Sequence, residues 1–234
     1  MDADPFPATR RVTVDIYPIH HVSFPSQHLL AATFLRFQEH YESPKFAGKA
    51  FDWEEFMDWY AADRGAFTYL KDWTAFNIPS RMFAPFREGR FDPLTRKETW
   101  LLSLFEGVAE PFYVIGTCDS ERDDLAHEIV RGLFAVFPDY GAAVRQCLAG
   151  HPLPGIRTAL VNMGYGAHVL DDEVNAYLLT GLAKELGGIE RRAVHRAGLA
   201  LHALFGSRFG LNLRQRKHEL SLSDRIHHHR YEPR

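Results

Sequence analysis

Asp123-Asp124-Leu125-Ala126-His127-Glu128-Ile129-Val130-Arg131-Gly132-Leu133-Phe134 is the segment on which the reading of this chain turns. It reads as one amphipathic helix with a His-Glu pair inside it. Residues at i and i+4 share a helix face, so positions 127 and 131 point the same way. Two imidazoles at that spacing can share one zinc ion, with the glutamate between them acting on a metal-bound water. Here the fifth position is Arg131, which makes the pattern H-E-x-x-R. A guanidinium stays protonated, offers no lone pair and repels a cation, so Arg131 is no zinc ligand.

Further along, Val169-Leu170-Asp171-Asp172-Glu173-Val174-Asn175-Ala176-Tyr177 is a second helix-like segment rich in acids. Glu173 is the natural third ligand to a zinc held by His127, and His168 or Asp172 are further donors for an altered site. The structural alternative is that acids 171 to 173 only complement a helix N-terminus. Arg131 has alternatives of its own. It can stand in for the metal by pairing with Glu128 or Glu173, or it can bind a carboxylate or phosphate of a ligand. Asp123 lies one turn before His127, where it could orient the imidazole.

The run from Asp123 to Phe134, the tract Pro138-Asp139-Tyr140, the turn Asn162-Met163-Gly164-Tyr165 and the segment Asp172 to Tyr177 together resemble the zincin-like metallopeptidase fold group in its glutamate-ligand branch. The resemblance covers roughly residues 110 to 180. It implies a zinc-binding α+β domain of hydrolytic ancestry. This chain departs from the pattern at Arg131.

Composition places few limits beyond this. The chain has 234 residues and a net charge of −3, which argues against a dedicated nucleic-acid binder. No apolar run reaches the length of a membrane span, and the acidic start Met1-Asp2-Ala3-Asp4 lacks an apolar signal region, so a cytoplasmic location is expected. Cys118 and Cys147 form no metal knuckle and are expected as two reduced, buried thiols.

The remaining elements follow from caps and periodicity. Val12 to Ile16 alternates as a strand, and His20-His21 reads as a solvated or capping pair in a turn. Ser26 caps a helix through Leu29, Leu30, Phe34 and Phe37 to about Tyr41. Asp52 with Glu55, and Thr95 with Glu98, follow the capping-box pattern ahead of two more helices. Phe67 to Leu70 reads as a short strand. Asp72 to Ser80 is an irregular aromatic loop, with its rings pinned to the core rather than lining a cleft. Pro111 to Gly116 is a short buried strand with Gly116 as its stop. A helix follows Phe137-Pro138-Asp139-Tyr140 with Val144 and Leu148 on its apolar side, and others follow at Ile156 to Met163, Asp171 to Leu179 and Ala183 to Phe209, the last with a break at Leu186-Gly187-Gly188. Leu199, Leu201, Leu204 and Phe205 are expected on its apolar side.

The expected architecture is therefore α+β and zincin-like: a small sheet with a mainly helical C-terminal half. Residues 1–217 form one domain, and 218–234 a basic, disordered tail. The first functional expectation is a divergent zincin-like protein that has lost standard zinc hydrolysis and binds a small-molecule or peptide ligand, or a partner, in the former cleft. The alternative is an active hydrolase. His127 and Glu173 would then hold zinc, Glu128 would be the general base, and Arg131 would meet a substrate carboxylate or oxyanion. An adaptor using the basic tail ranks last.

Overall fold

The hexapeptide Tyr113-Val114-Ile115-Gly116-Thr117-Cys118 is buried along its whole length and lies near the middle of the sheet. The computed structural model describes residues 16–118, 125–215 and 221–232. In chain order it contains β1 (Ile19–Phe24), α1 (Gln27–Glu42), α2 (Trp53–Arg64), α3 (Tyr69–Asp72), β2 (Ala75–Pro79), α4 (Ala84–Arg87), α5 (Arg96–Leu104), β3 (Tyr113–Cys118), α6 (Leu125–Val136), α7 (Pro138–Gly150), α8 (Pro154–Asn162), α9 (Leu170–Thr180), α10 (Arg191–Phe209) and β4 (His227–Arg230). The sheet order is β2-β3-β1-β4. β1 runs parallel to both β3 and β4, while β2 is antiparallel to β3. The class is α+β, with a small mixed sheet and a helical second half.

Each face of the sheet carries its own apolar core. Ile19, Tyr113 and Ile115 face one, built with Leu133, Val174, Leu201 and Phe205. Val22, Phe24 and Val114 face the other, built with Leu30, Phe34, Phe37 and Phe76. Period-two alternation along β1 and β3 produces this division. Two glycines set how closely the helices approach. A Cβ at Gly116 would stand 2.6 Å from a Phe34 ring carbon and 2.7 Å from Leu30 Cδ1, so α1 lies directly on β3. A Cβ at Gly132 would stand 2.9 Å from Tyr113 Cδ1, so α6 lies equally close on the opposite face. Gly116 therefore does not stop the strand. It sits inside it, where only a missing side chain admits the helix.

The expected caps form. Ser26 accepts from Leu29 N and Asp52 accepts from Glu55 N. Thr95 and Glu98 make a full capping box. Glu98 does more than cap: its buried carboxylate also takes Arg36 Nε at 2.7 Å and Nη2 at 2.6 Å. That bidentate pair ties α5 to α1.

Several expectations are corrected. His20 and His21 are not in a turn. They are buried in β1, because neighbouring histidines supply the partners that a buried imidazole needs. Ile16 lies outside any strand, and residues 12–15 are outside the described residues. Tyr69–Asp72 is a helical turn rather than a strand. The aromatic loop contributes strand β2, in which Phe76 is 1% exposed while Trp73 is 44% exposed, so the pinning holds for Phe76 and not for Trp73. Leu199 is exposed, whereas Leu201 and Phe205 are buried. Cys118 is buried and Cys147 only half-buried, and the two form no disulfide.

The largest correction concerns the stretch 218–234. Over residues 221–232 it is no loose tail: His227–Arg230 pairs with β1, Tyr231 N donates to Ser23 O at 2.8 Å, and Leu222 and Ile226 are buried. Arg225 donates to Tyr17 Oη and to Phe209 O, which leaves it no role in a mobile basic arm. Residues 218–220 and 233–234 lie outside the described residues, as do Asp123 and Asp124. Among the described residues, no helix is long and apolar enough to cross a membrane.

Candidate functional site

Helix α6 packs against α9, and the two carry His127, Glu128, Arg131, Asp172 and Glu173. The three acids in the first turn of α9 divide by direction. Asp171 pairs with Arg157 of α8 at the surface, while Asp172 and Glu173 are buried and turn towards α6.

Arg131 is only 3% exposed and meets four carboxylates. Its Nε donates to Asp172 Oδ2 at 3.0 Å, and its Nη2 donates to Glu42 Oε1 at 2.5 Å. Its Nη1 lies 2.9 Å from Glu173 Oε1 and 3.6 Å from Glu128 Oε2, contacts that act through charge rather than as aligned hydrogen bonds. All three guanidinium nitrogens are thus occupied by the protein itself. The i, i+4 geometry holds: His127 and Arg131 reach the two oxygens of one carboxylate, with His127 Nε2 3.2 Å from Glu173 Oε2.

The protonation of His127 follows from its neighbours. The Thr180 hydroxyl donates to Ala176 O at 2.9 Å, so in its 3.4 Å contact with His127 Nδ1 the oxygen accepts and the ring donates. Towards Glu173 the ring donates as well. Donation from both ring nitrogens is the bonding pattern of an imidazolium. Burial acts to lower its pKa, but the Glu173 hydrogen bond and the charges of Glu128 and Glu173 outweigh burial and raise it. The ring rests against Tyr177 at 4.6 Å between centroids, and the Tyr177 hydroxyl meets that of Tyr165 at 3.2 Å.

Among the described residues, four acids face one arginine and one histidine, an excess of negative charge. Burial pushes Glu128 up to about 7 despite the opposing pull of Arg131 and His127. Burial likewise pushes Asp172 up to about 7 and raises Glu42. Glu173 goes the other way: burial acts to raise it, but Arg131 and the His127 hydrogen bond outweigh burial and hold it below the usual carboxylate range. Arg131 and His127 thus favour the ionised form of Glu173, while burial favours the protonated forms of Glu42, Glu128 and Asp172. Among the described residues, buried oxygens of Glu128, Asp172 and Glu173 have no hydrogen-bond partner, as that shortage of donors requires.

Of the residues the sequence proposed, His127, Glu128, Arg131, Asp172 and Glu173 are brought together. His168 lies behind Glu42 instead, with Nε2 3.0 Å from Tyr41 O. Sequence reasoning missed Glu42, which comes from α1 on the other face of the sheet. Its one signal is an acid in the last turn of a helix, where the macrodipole disfavours it and a cation must compensate. Among the described residues, no group of three or more His, Cys, Asp or Glu is placed to hold a metal ion. No protein-family model, curated protein or solved structure matches this chain.

Proposed function

We propose that this is a divergent zincin-like protein in which a guanidinium occupies the place of a metal ion, and that it acts by binding rather than by zinc hydrolysis. The observation that carries this reading is Arg131, buried and held by Glu42, Asp172 and Glu173. The contact of His127 Nε2 with Glu173 supports it, because a ring nitrogen that donates to a carboxylate turns no lone pair to a metal. A zinc ion fits this donor set poorly, since Arg131 would lie against the cation. The side chains of Glu42, Glu128 and His127 remain 16%, 11% and 15% exposed, so they edge what opening the centre has. A small-molecule or peptide ligand, or a partner, meets the protein at that acidic edge, and Arg131 itself is not free for a substrate carboxylate. A cytoplasmic location goes with this reading.

The second reading is an active metal-dependent hydrolase with His127 and Glu173 as ligands. Its support is that the two side chains already adjoin and that Glu128, at about 7, is matched to general-base work at neutral pH. The two readings part on peptide hydrolysis measured with added zinc in the wild type and in Glu128→Gln. The binding reading expects background rates in both. Zinc-dependent turnover that disappears in Glu128→Gln establishes the hydrolase.

A further inference from the structure

A second constellation lies away from the Arg131 centre, where the parallel strands β1, β3 and β4 end. A cavity of about 330 Å³ opens there, lined by His21, Ser23, Thr117, Cys118, His228, His229 and Arg230. It lies outside the carboxyl ends of parallel strands, at a point where the chain departs to opposite sides of β1. Ligands of open α/β sheets favour that location. The volume falls near the lower end of ligand pockets, roughly 300–1,000 Å³.

Three side chains of this cavity form one hydrogen-bonded line. Thr117 Oγ1 is 2.8 Å from His21 Nε2, His21 Nδ1 is 3.1 Å from His228 Nδ1, and His228 Nε2 is 2.9 Å from Ser223 O. A carbonyl oxygen only accepts, which sets the direction of the line when both imidazoles are neutral. His228 Nε2–H donates to Ser223 O, so in neutral His228 the Nδ1 is an acceptor. His21 Nδ1–H then donates to His228, which leaves His21 Nε2 with a lone pair facing the Thr117 hydroxyl. The hydroxyl donates to it. A hydroxyl on an imidazole lone pair, with the far side of that imidazole oriented by a third group, is the arrangement of an activated nucleophile.

We propose that Thr117, His21 and His228 form an acyl-transfer site for a small carboxylic ester, with Thr117 as nucleophile, His21 as general base and His228 as the positioning residue. As Thr117 Oγ1 bonds to the acyl carbon, its proton passes to His21 Nε2. The resulting imidazolium keeps its Nδ1–H on His228. Collapse breaks the bond to the leaving alkoxide, which takes the proton from His21 Nε2, and alcohol departs. Water, deprotonated by the same nitrogen, then releases the carboxylate and restores Thr117. The Ser23 hydroxyl lines the same wall and brings a donor to an acyl oxygen. Cys118 lines it too but lies on the opposite face of β3 from Thr117, outside the line of hydrogen bonds.

The test is acylation of the full chain by p-nitrophenyl acetate, followed by nitrophenolate release and by peptide mass mapping. The expected result is one acetyl group on Thr117, unaffected by a chelator. Thr117→Val should lose the label, whereas Thr117→Ser should keep it at position 117. Replacing His21 by Gln should slow acylation about 10²–10⁴-fold, the usual contribution of a general base, and His228→Gln should slow it less. Melting curves accompany each variant, and the serine variant decides the matter if His21→Gln does not fold. An unlabelled Thr117 in folded wild type, a label on Cys118 alone, or equal acylation of Thr117→Val overturns the proposal.

Discussion

Arg131 Nη2 donates to Glu42 Oε1 at 2.5 Å, which joins α6 on one face of the sheet to α1 on the other. The guanidinium thereby connects three helices, since Asp172 and Glu173 belong to α9. A metal ion at the centre of a domain plays the same mechanical part, drawing side chains from separate helices onto one charge.

Removing that charge should be costly. Arg131→Ala leaves buried acids facing one another, and breaking a buried pair in this way typically costs about 3–5 kcal/mol. Denaturant unfolding at pH 7 should show a loss of that order. The loss should shrink at pH 5, where the stranded acids take up protons. A variant as stable as the wild type at pH 7 would show that Arg131 does not hold the centre together.

Glu128 gives a pH dependence of defined sign. Its pKa is about 7 in the fold against an ordinary 4.5, so between those values the folded protein holds a proton that the unfolded chain has released. Stability from this group therefore falls as pH rises from 4.5 to 7, by roughly 2–3 kcal/mol. Glu128→Gln copies the protonated acid and should be the more stable protein at pH 8, with little difference at pH 4.5. Equal melting temperatures at pH 8 would contradict this.

His20 and His229 act in the opposite sense. Burial, then the charges of His227 and His229, lowers His20 to about 4, and burial with His227 and His228 lowers His229. The unfolded chain takes up these protons first as pH falls below 6.5. Stability from this cluster is therefore lost between pH 6.5 and about 4. The strand it holds is β4, and Tyr231 immediately after it packs on Trp100 at 4.6 Å between centroids. Tryptophan fluorescence should report release of β4 on acidification, at lower pH in His229→Gln than in the wild type. An unchanged midpoint would place the acid transition elsewhere.

Gly132 tests how closely α6 must sit on the sheet. A methyl group there would press on Tyr113 and Ile19, and overpacking of this kind costs about 1–3 kcal/mol. Gly132→Ala should lose stability within that range, although alanine is the better helix former. A gain in stability would mean that the helix moves aside freely.

The parts of this structure that were legible in the sequence are those written over short distances. The caps at Ser26, Asp52 and Thr95, the helical spacing of α6 and α9, and the shared direction of positions 127 and 131 all depend on neighbours a few residues apart. The strands were read less well because their composition misleads. β1 carries two histidines in its middle and β4 is a histidine run, so neither shows the apolar alternation that marks a strand, and each is explained only by the other. Gly116 looked like a stop because a glycine inside a strand makes sense only once Phe34 is seen above it. Glu42 was hidden for the same reason: its partner lies 89 residues away on the far side of the sheet.

The central claim, that a guanidinium stands where a metal ion would sit, is tested most directly by zinc content. The wild type, Arg131→His and Arg131→His/His127→Ala would be purified without a tag, briefly chelated, re-exposed to zinc and analysed for metal per chain. The account predicts no stoichiometric zinc in the wild type, one zinc per chain in Arg131→His, and its loss in the double variant. One zinc per chain in the wild type, removed by His127→Ala alone, would contradict it.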